Sequence, residues 1–168
     1  MIKNQVDILL TSFNRNRMLQ EAIDSVLNQT HTNWCLYLLD DNSGQETVDI
    51  IKSYITNPDN QTKKLIYHNS EVSEENRWKE AGYCVNINWA IDQLQGEFVT
   101  YLTDDDYYMP RRLEIMVKYL NEHSEANVVY GRQQIFRNGV NGGLRAPEKI
   151  LNWAAGSVDH CSIMHRTS

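Results

Sequence analysis

Apolar positions along the chain alternate between two rhythms. Val6-Asp-Ile-Leu-Leu-Thr11 and Trp34-Cys-Leu-Tyr-Leu-Leu39 are short apolar runs of strand length, and near-continuous burial on both faces explains them better than a half-exposed sheet does. Between them, Met18/Leu19, Ala22/Ile23 and Val26/Leu27 form the stripe of an amphipathic helix, with Asn16 suited to cap its start. Val48, Ile51 and Ile55 mark a second helix after the turn at 40–44, and Leu65-Ile-Tyr67 a third strand. A polar stretch from His68 to Lys79 follows, longer than most connections in compact α/β domains. A third helix is predicted over Ala81 to Leu94, ending where Gly96 would take the left-handed conformation, and Glu97 to Thr103 reads as a fourth strand. Pro110 suits a first helical position ahead of Leu113, Met116, Val117 and Leu120. Val128-Val-Tyr130 opens an extended segment to Arg137, closed by an Asn138-Gly139 turn. Beyond it the alternation fades, and 138–168 reads as irregular.

Strands alternating with helices through short connections imply parallel pairing with right-handed crossovers, hence a layered α/β sheet. The 168 residues suffice for one domain, and 41% hydrophobic with 23% charged side chains excludes disordered and low-complexity classes. A net charge of −6 argues against a nucleic-acid polymer or an anionic membrane as partner. Three dispersed cysteines, with no CxxC pair, suggest neither a disulfide framework nor a zinc knuckle. The N-terminus lacks the apolar stretch of a secretory signal and no apolar run reaches membrane-span length, so a cytoplasmic protein with no transmembrane segment is expected.

Ligands of open α/β sheets bind beyond the carboxyl ends of the strands. Those ends are polar here: Thr11-Ser-Phe-Asn14, Asp40-Asp-Asn-Ser43 and Asp104-Asp-Asp106. Like charges about 4 Å apart repel by about 4 kcal/mol at the effective dielectric of a protein surface. A divalent cation would neutralise such a cluster, and oxygen-only donors favour Mg²⁺ or Mn²⁺. Neither GxGxxG nor GxxxxGK[ST] follows the first strand, so diphosphate would be held by metal and basic side chains. A receiver-type signalling domain would need an isolated Asp after the third strand and a Lys after the fifth. Tyr67-His-Asn-Ser70 and Tyr130-Gly-Arg-Gln133 supply neither.

Val6-Asp-Ile-Leu-Leu-Thr-Ser-Phe-Asn14, Ala22-Ile-Asp-Ser-Val-Leu-Asn-Gln-Thr30, Leu39-Asp-Asp-Asn-Ser43, Gly96-Glu-Phe-Val-Thr-Tyr-Leu-Thr-Asp-Asp105 and Met109-Pro-Arg-Arg-Leu113 occur in the order of a known family. With them the chain resembles a family 2 glycosyltransferase of the type A nucleotide-sugar-binding fold. Asp159-His-Cys-Ser-Ile-Met-His-Arg166 is similar to the spore-coat polysaccharide glycosyltransferases of that family. The resemblance implies a three-layer sandwich around a mostly parallel sheet. The Rossmann-like nucleotide-binding part would span about 1–137 of a single domain, with the acceptor-side segment, 138–168, cut short.

The resemblance also implies residue roles. Thr11 and Phe13 would border the pyrimidine, Phe13 stacking where relatives often place Tyr. Asp41, or alternatively Asp40, would accept from the base N3–H, selecting uracil or thymine. Arg77 would reach the nucleotide or its phosphates. Asp104 would face the ribose and Asp105, the principal ligand, the metal; Asp106 is a further metal candidate, since ligation by Asp104 and Asp106 would also satisfy a D-x-D spacing. Asp159 and His160 would lie in the sugar and acceptor region, and Trp78, in the polar loop, is a further candidate to contact substrate. The activity implied is inverting, Mn²⁺- or Mg²⁺-dependent transfer from a UDP- or dTDP-sugar to a carbohydrate hydroxyl in polysaccharide synthesis. The general base of similar proteins lies downstream of the segment matching 159–166, so none is assigned. The alternative is a donor-binding domain without turnover.

Overall fold

The computed structural model describes residues 1–137, 139–145 and 159–167. Its first strand, β1 (Ile2–Ser12), sends Val6, Ile8 and Leu10 into one apolar cluster and Leu9 into another on the opposite face. In β2 (Trp34–Asp40), Trp34, Leu36 and Leu38 join the first cluster while Cys35, Tyr37 and Leu39 join the second. The period-two alternation of side chains therefore feeds two cores, and an unbroken apolar run is its sequence signature.

α1 (Asn16–Leu27), α2 (Gln45–Thr56) and α4 (Arg112–Glu122) cover the first face, through Leu19, Ile23, Ile51, Leu113 and Leu120 among others. α3 (Gly82–Ile91) covers the second with Ala90, Ile87 and Trp89. The architecture is thus an α/β three-layer sandwich. Its six-stranded sheet runs β3 (Lys64–Asn69), β2, β1, β4 (Gly96–Thr103), β8 (Ile163–Arg166), β5 (Val128–Tyr130). β1 pairs in parallel with β2 and β4, and β2 with β3, whereas β8 is antiparallel to both its neighbours. Among the described residues, no helix is long and apolar enough to cross a membrane.

Several local expectations are corrected. α3 ends at Ile91, and Gly96 opens β4 without a left-handed φ. A Cβ at Gly96 would lie 2.6 Å from the Gln5 carbonyl oxygen and 3.1 Å from the Asp7 carboxylate, so close approach rather than helix termination demands glycine. Asn16 is the first residue of α1 rather than its cap, and its Oδ1 accepts from Thr47 Oγ1 at 2.5 Å, tying α1 to α2. α4 starts at Arg112, past Pro110. The stretch expected to be irregular contains β7 (Val140–Arg145), paired in a hairpin with β6 (Gln133–Arg137), and then β8. Gly139 in the hairpin turn takes φ +76°, while Asn138 and residues 146–158 lie outside the described residues.

Candidate functional site

Parallel pairing sets Ser12 beside Asp40 and Thr11 beside Thr103, so three strands release their next residues at one edge. Backbone bonds keep these ends together: Asp41 N–H donates to the Ser12 carbonyl at 2.9 Å and Asp104 N–H to that of Thr11 at 3.1 Å. The chain turns sharply after β1 and β2 through Asn14 (φ 53°) and Asn42 (φ 55°), left-handed positions that asparagine tolerates. Asn14 locks the turns to each other, its Oδ1 accepting from Gly44 N–H at 2.8 Å and its N–H donating to Ser43 Oγ at 3.0 Å.

Asp40 and Asp41 differ sharply despite being adjacent. Asp40 is fully buried and accepts from Ser43 N–H at 3.3 Å and Tyr67 O–H at 3.2 Å. Burial pushes its carboxyl above the ordinary value, against the lowering effect of those bonds. Asp41 faces the edge. Ser70 Oγ donates to its Oδ1 at 2.9 Å, and Arg77 Nη2 lies 3.2 Å from its Oδ2 and donates to its carbonyl oxygen as well. A Cβ on Gly82 would fall 1.5 Å from Asp41 Oδ1, so the first turn of α3 can press on this carboxylate only as glycine. The Arg77 guanidinium carbon sits 3.4 Å from the centroid of the Phe13 ring, which is 40% exposed.

The same segment reaches the third strand end. Phe13 N–H donates to Asp104 Oδ2 at 2.8 Å. Burial raises the Asp104 carboxyl despite that bond. Arg15, which follows the Asn14 turn, places Nη1 2.7 Å from Asp105 Oδ2 and Nε 3.7 Å from Asp104 Oδ1. An unbroken series of contacts therefore runs Asp41, Arg77, Phe13, Asp104, Arg15, Asp105. The carboxylates do gather at one edge as the strand order predicts, but arginines neutralise two of them where the charge argument alone calls for a cation. Arg15 is missing from the sequence-based candidates, since a polar break between strand and helix gives an arginine no distinguishing signal.

Asp106 lies toward the segment that holds Cys161. Its Oδ2 lies 3.3 Å from Thr103 Oγ1, which is 3.5 Å from Cys161 Sγ. Donor atoms of Asp159, His160 and Cys161 all lie within 4.8 Å of one another, the one such His/Cys/Asp/Glu group of three or more among the described residues. Burial pushes the Cys161 thiol up to about 12, so it stays protonated and is a poor ligand. Carboxylate and imidazole donors remain, a set that accepts Mg²⁺ or Mn²⁺. Asp105 is not part of this group and is paired with Arg15. Arg112 fixes this segment, donating to the Cys161 carbonyl at 2.9 Å and to Thr100 Oγ1 at 3.1 Å. Trp78 is 79% exposed, and Lys79 Nζ lies 4.8 Å from its ring centroid.

Residues 7–156 match the sequence family described as Glycosyl transferase family 2. Protein CgeD of Bacillus subtilis (strain 168) is 40% identical over 169 residues, which cover 98% of this chain and 38% of CgeD. The Escherichia coli UDP-Glc:alpha-D-GlcNAc-diphosphoundecaprenol beta-1,3-glucosyltransferase WfgD is 27% identical over 146 residues, 86% of this chain and 52% of WfgD. The chain thus spans less than two thirds of either relative. Staphylococcus aureus TarS 1–349 in complex with UDP superposes with a TM-score of 0.74 at 19% identity, covering 97% of this chain and 47% of TarS 1–349. TarS 1–349 in complex with UDP-GlcNAc gives 0.71 at 18% identity. Likeness at that identity establishes the shared fold.

Proposed function

Because the chain belongs to glycosyl transferase family 2, we propose that its acidic sheet edge binds the nucleotide of a UDP- or dTDP-sugar, from which the sugar passes to a carbohydrate hydroxyl with inversion. The observation that carries this reading is the contact series from Asp41 to Asp105, which joins three separate strand ends into one mixed-charge surface. Thr11 and Phe13 border the base. Asp41 accepts from its N3–H; Asp40, fully buried and already engaged by Ser43 and Tyr67, is the poorer candidate. Asp104 faces the ribose and Arg77 the phosphates. TarS, which shares the fold, is described in complex with UDP and with UDP-GlcNAc.

The donor set suits Mn²⁺ or Mg²⁺, held by Asp105 and Asp106 with His160 and Asp159 beside the sugar. A mannosyltransferase of the same fold from Pyrobaculum calidifontis, TM-score 0.59, is described with GDP-Man and Mn2+. When bound, such an ion stabilises the charge of the departing diphosphate. The chain's own residues hold the base, orient the ribose and present the anomeric carbon to the acceptor side. Calorimetry with UDP, dTDP, CDP and GDP, each with Mn²⁺, tests the reading. UDP or dTDP is expected to bind and CDP to bind more weakly, since cytosine lacks the N3 proton. Absence of UDP and dTDP binding with metal present overturns it.

One observation favours donor binding without turnover. Asp159, a carboxylate of the segment expected to face the acceptor, is engaged by Cys161 N–H at 3.1 Å and lies 3.8 Å from Arg145 Nη1, rather than standing open as a base. Release of sugar from UDP-glucose or UDP-GlcNAc by the purified chain would decide against that second reading.

A further inference from the structure

We propose that Arg15 stands in for the divalent ion at Asp105, so that metal binding is coupled to nucleotide binding through this one side chain. The inference rests on reading the acidic edge as a donor site. Arg15 Nη1 lies 2.7 Å from Asp105 Oδ2 and its Nε 3.7 Å from Asp104 Oδ1. A guanidinium and a divalent cation compete for Asp105 Oδ2, and each repels the other. In the ligand-free protein the ion must therefore displace Arg15 to use Asp105.

The backbone of Arg15 is held in place, and its side chain is half-exposed. Its backbone follows the left-handed Asn14, which Ser43 and Gly44 clamp from both sides. Its side chain is 50% exposed and that of Asp105 43% exposed. A pair this exposed shifts an equilibrium by up to about fivefold, enough to measure and little enough to break. The first turn of α1, which begins at the next residue, contains no acidic side chain. A bound diphosphate changes that balance by offering the guanidinium a new anionic partner with matching fork geometry. Arg15 then moves from carboxylate to phosphate, and the freed carboxylate takes the ion. By linkage, the nucleotide raises metal affinity and the metal raises nucleotide affinity by the same factor.

Electron paramagnetic resonance of free Mn²⁺ tests this in titrations of the purified chain, with and without saturating UDP. The proteins compared are wild type, Arg15→Gln, Arg15→Lys and Arg17→Gln. Arg17 is the control for lost positive charge, since it lies two positions along and, among the described residues, pairs with Glu21, at 3.3 Å with a 93% exposed side chain. Without UDP, Arg15→Gln is expected to bind Mn²⁺ about three- to fivefold more tightly than wild type, and the enhancement produced by UDP is expected to shrink. Arg17→Gln should match wild type, and Arg15→Lys should retain most of the coupling as a point charge. Mn²⁺ affinity of Arg15→Gln that is unchanged or weaker, in a protein whose wild type binds UDP with Mn²⁺, overturns the coupling and leaves the donor-site reading standing. So does an equal gain in Arg17→Gln. A wild type that binds neither UDP nor Mn²⁺ overturns both.

Discussion

Two neighbouring carboxylates in one turn are set to different tasks by their partners and depth of burial. Asp40 lies beneath the edge, where desolvation raises its carboxyl above the usual 3.8, while Asp41, also largely buried, is paired with Arg77. The folded protein thus holds the Asp40 proton more tightly than the unfolded chain does. Stability from this group is fully present below the unfolded value and lost as the pH rises through the raised folded value. Asp40→Asn cannot ionise. The stability of wild type relative to this variant is therefore expected to fall as the pH rises above about 4, read as the difference of their denaturation midpoints at each pH. A flat difference would show that Asp40 titrates as it does in the unfolded chain. Phe13 is the complementary case, a ring that is 40% exposed and contributes little to the core. Phe13→Ala is expected to cost about 1–3 kcal/mol of UDP affinity, the range for an aromatic ring beneath a base, with the thermal midpoint nearly unchanged. Undiminished affinity in calorimetry would remove the ring from the base site.

At the scale of elements, two glycines show how the same residue type serves the framework and the site. Gly96 opens β4 at the far end of the sheet, where a Cβ would meet the Gln5 backbone at 2.6 Å. Backbone cannot step aside, so Gly96→Ala is expected to cost about 1–3 kcal/mol in a denaturant melt while the folded fraction binds UDP normally. Gly82 opens α3 against Asp41, and a Cβ there would fall 1.5 Å from Oδ1. Gly82→Ala should therefore turn Asp41 away from the base and weaken UDP about tenfold or more, the worth of a charge-assisted hydrogen bond. Equal UDP affinity in Gly82→Ala and wild type would detach Asp41 from recognition. Elements of this kind were largely legible. β1, β2 and α1 declare themselves because both faces of the strands and one stripe of the helix are apolar. Gly96 was misread because glycine after a helical pattern signals a C-terminus locally, whereas its real constraint is Gln5, a residue far away in sequence. β8 carries His165 and Arg166 in only four residues, and no local periodicity marks a strand whose pairing depends on β4 and β5.

For the molecule as a whole, the candidate site is a product of topology. Strand order β3, β2, β1, β4 brings Asp41, Phe13 and Asp105 to one edge, and this much followed from the α/β alternation and the polar strand ends. Which charges would pair did not follow, because Arg15 and Arg77 acquire their partners only after the chain has folded. The far side of the edge depends on β8, which lies antiparallel between β4 and β5 and is the strand through which β5 joins the sheet. Arg112 anchors the approach to β8. It stacks on Tyr108 at 4.0 Å and donates to Thr100 Oγ1 at 3.1 Å, to the Cys161 carbonyl at 2.9 Å and to that of Ile163 at 3.4 Å. Arg112→Lys keeps the charge but loses the fork that spans these acceptors. The amides of 160–166 are then expected to exchange hydrogen about tenfold faster, a local loss of about 1.4 kcal/mol, while those of β1 and β2 hold their wild-type rates. UDP affinity should persist, since its contacts lie on the Asp41 to Asp105 side, and any sugar transfer should fall, since Asp159 and His160 sit on the loosened segment. Uniformly faster exchange across the sheet would instead make Arg112 a support of the whole fold, and the two sides of the edge would no longer count as separable.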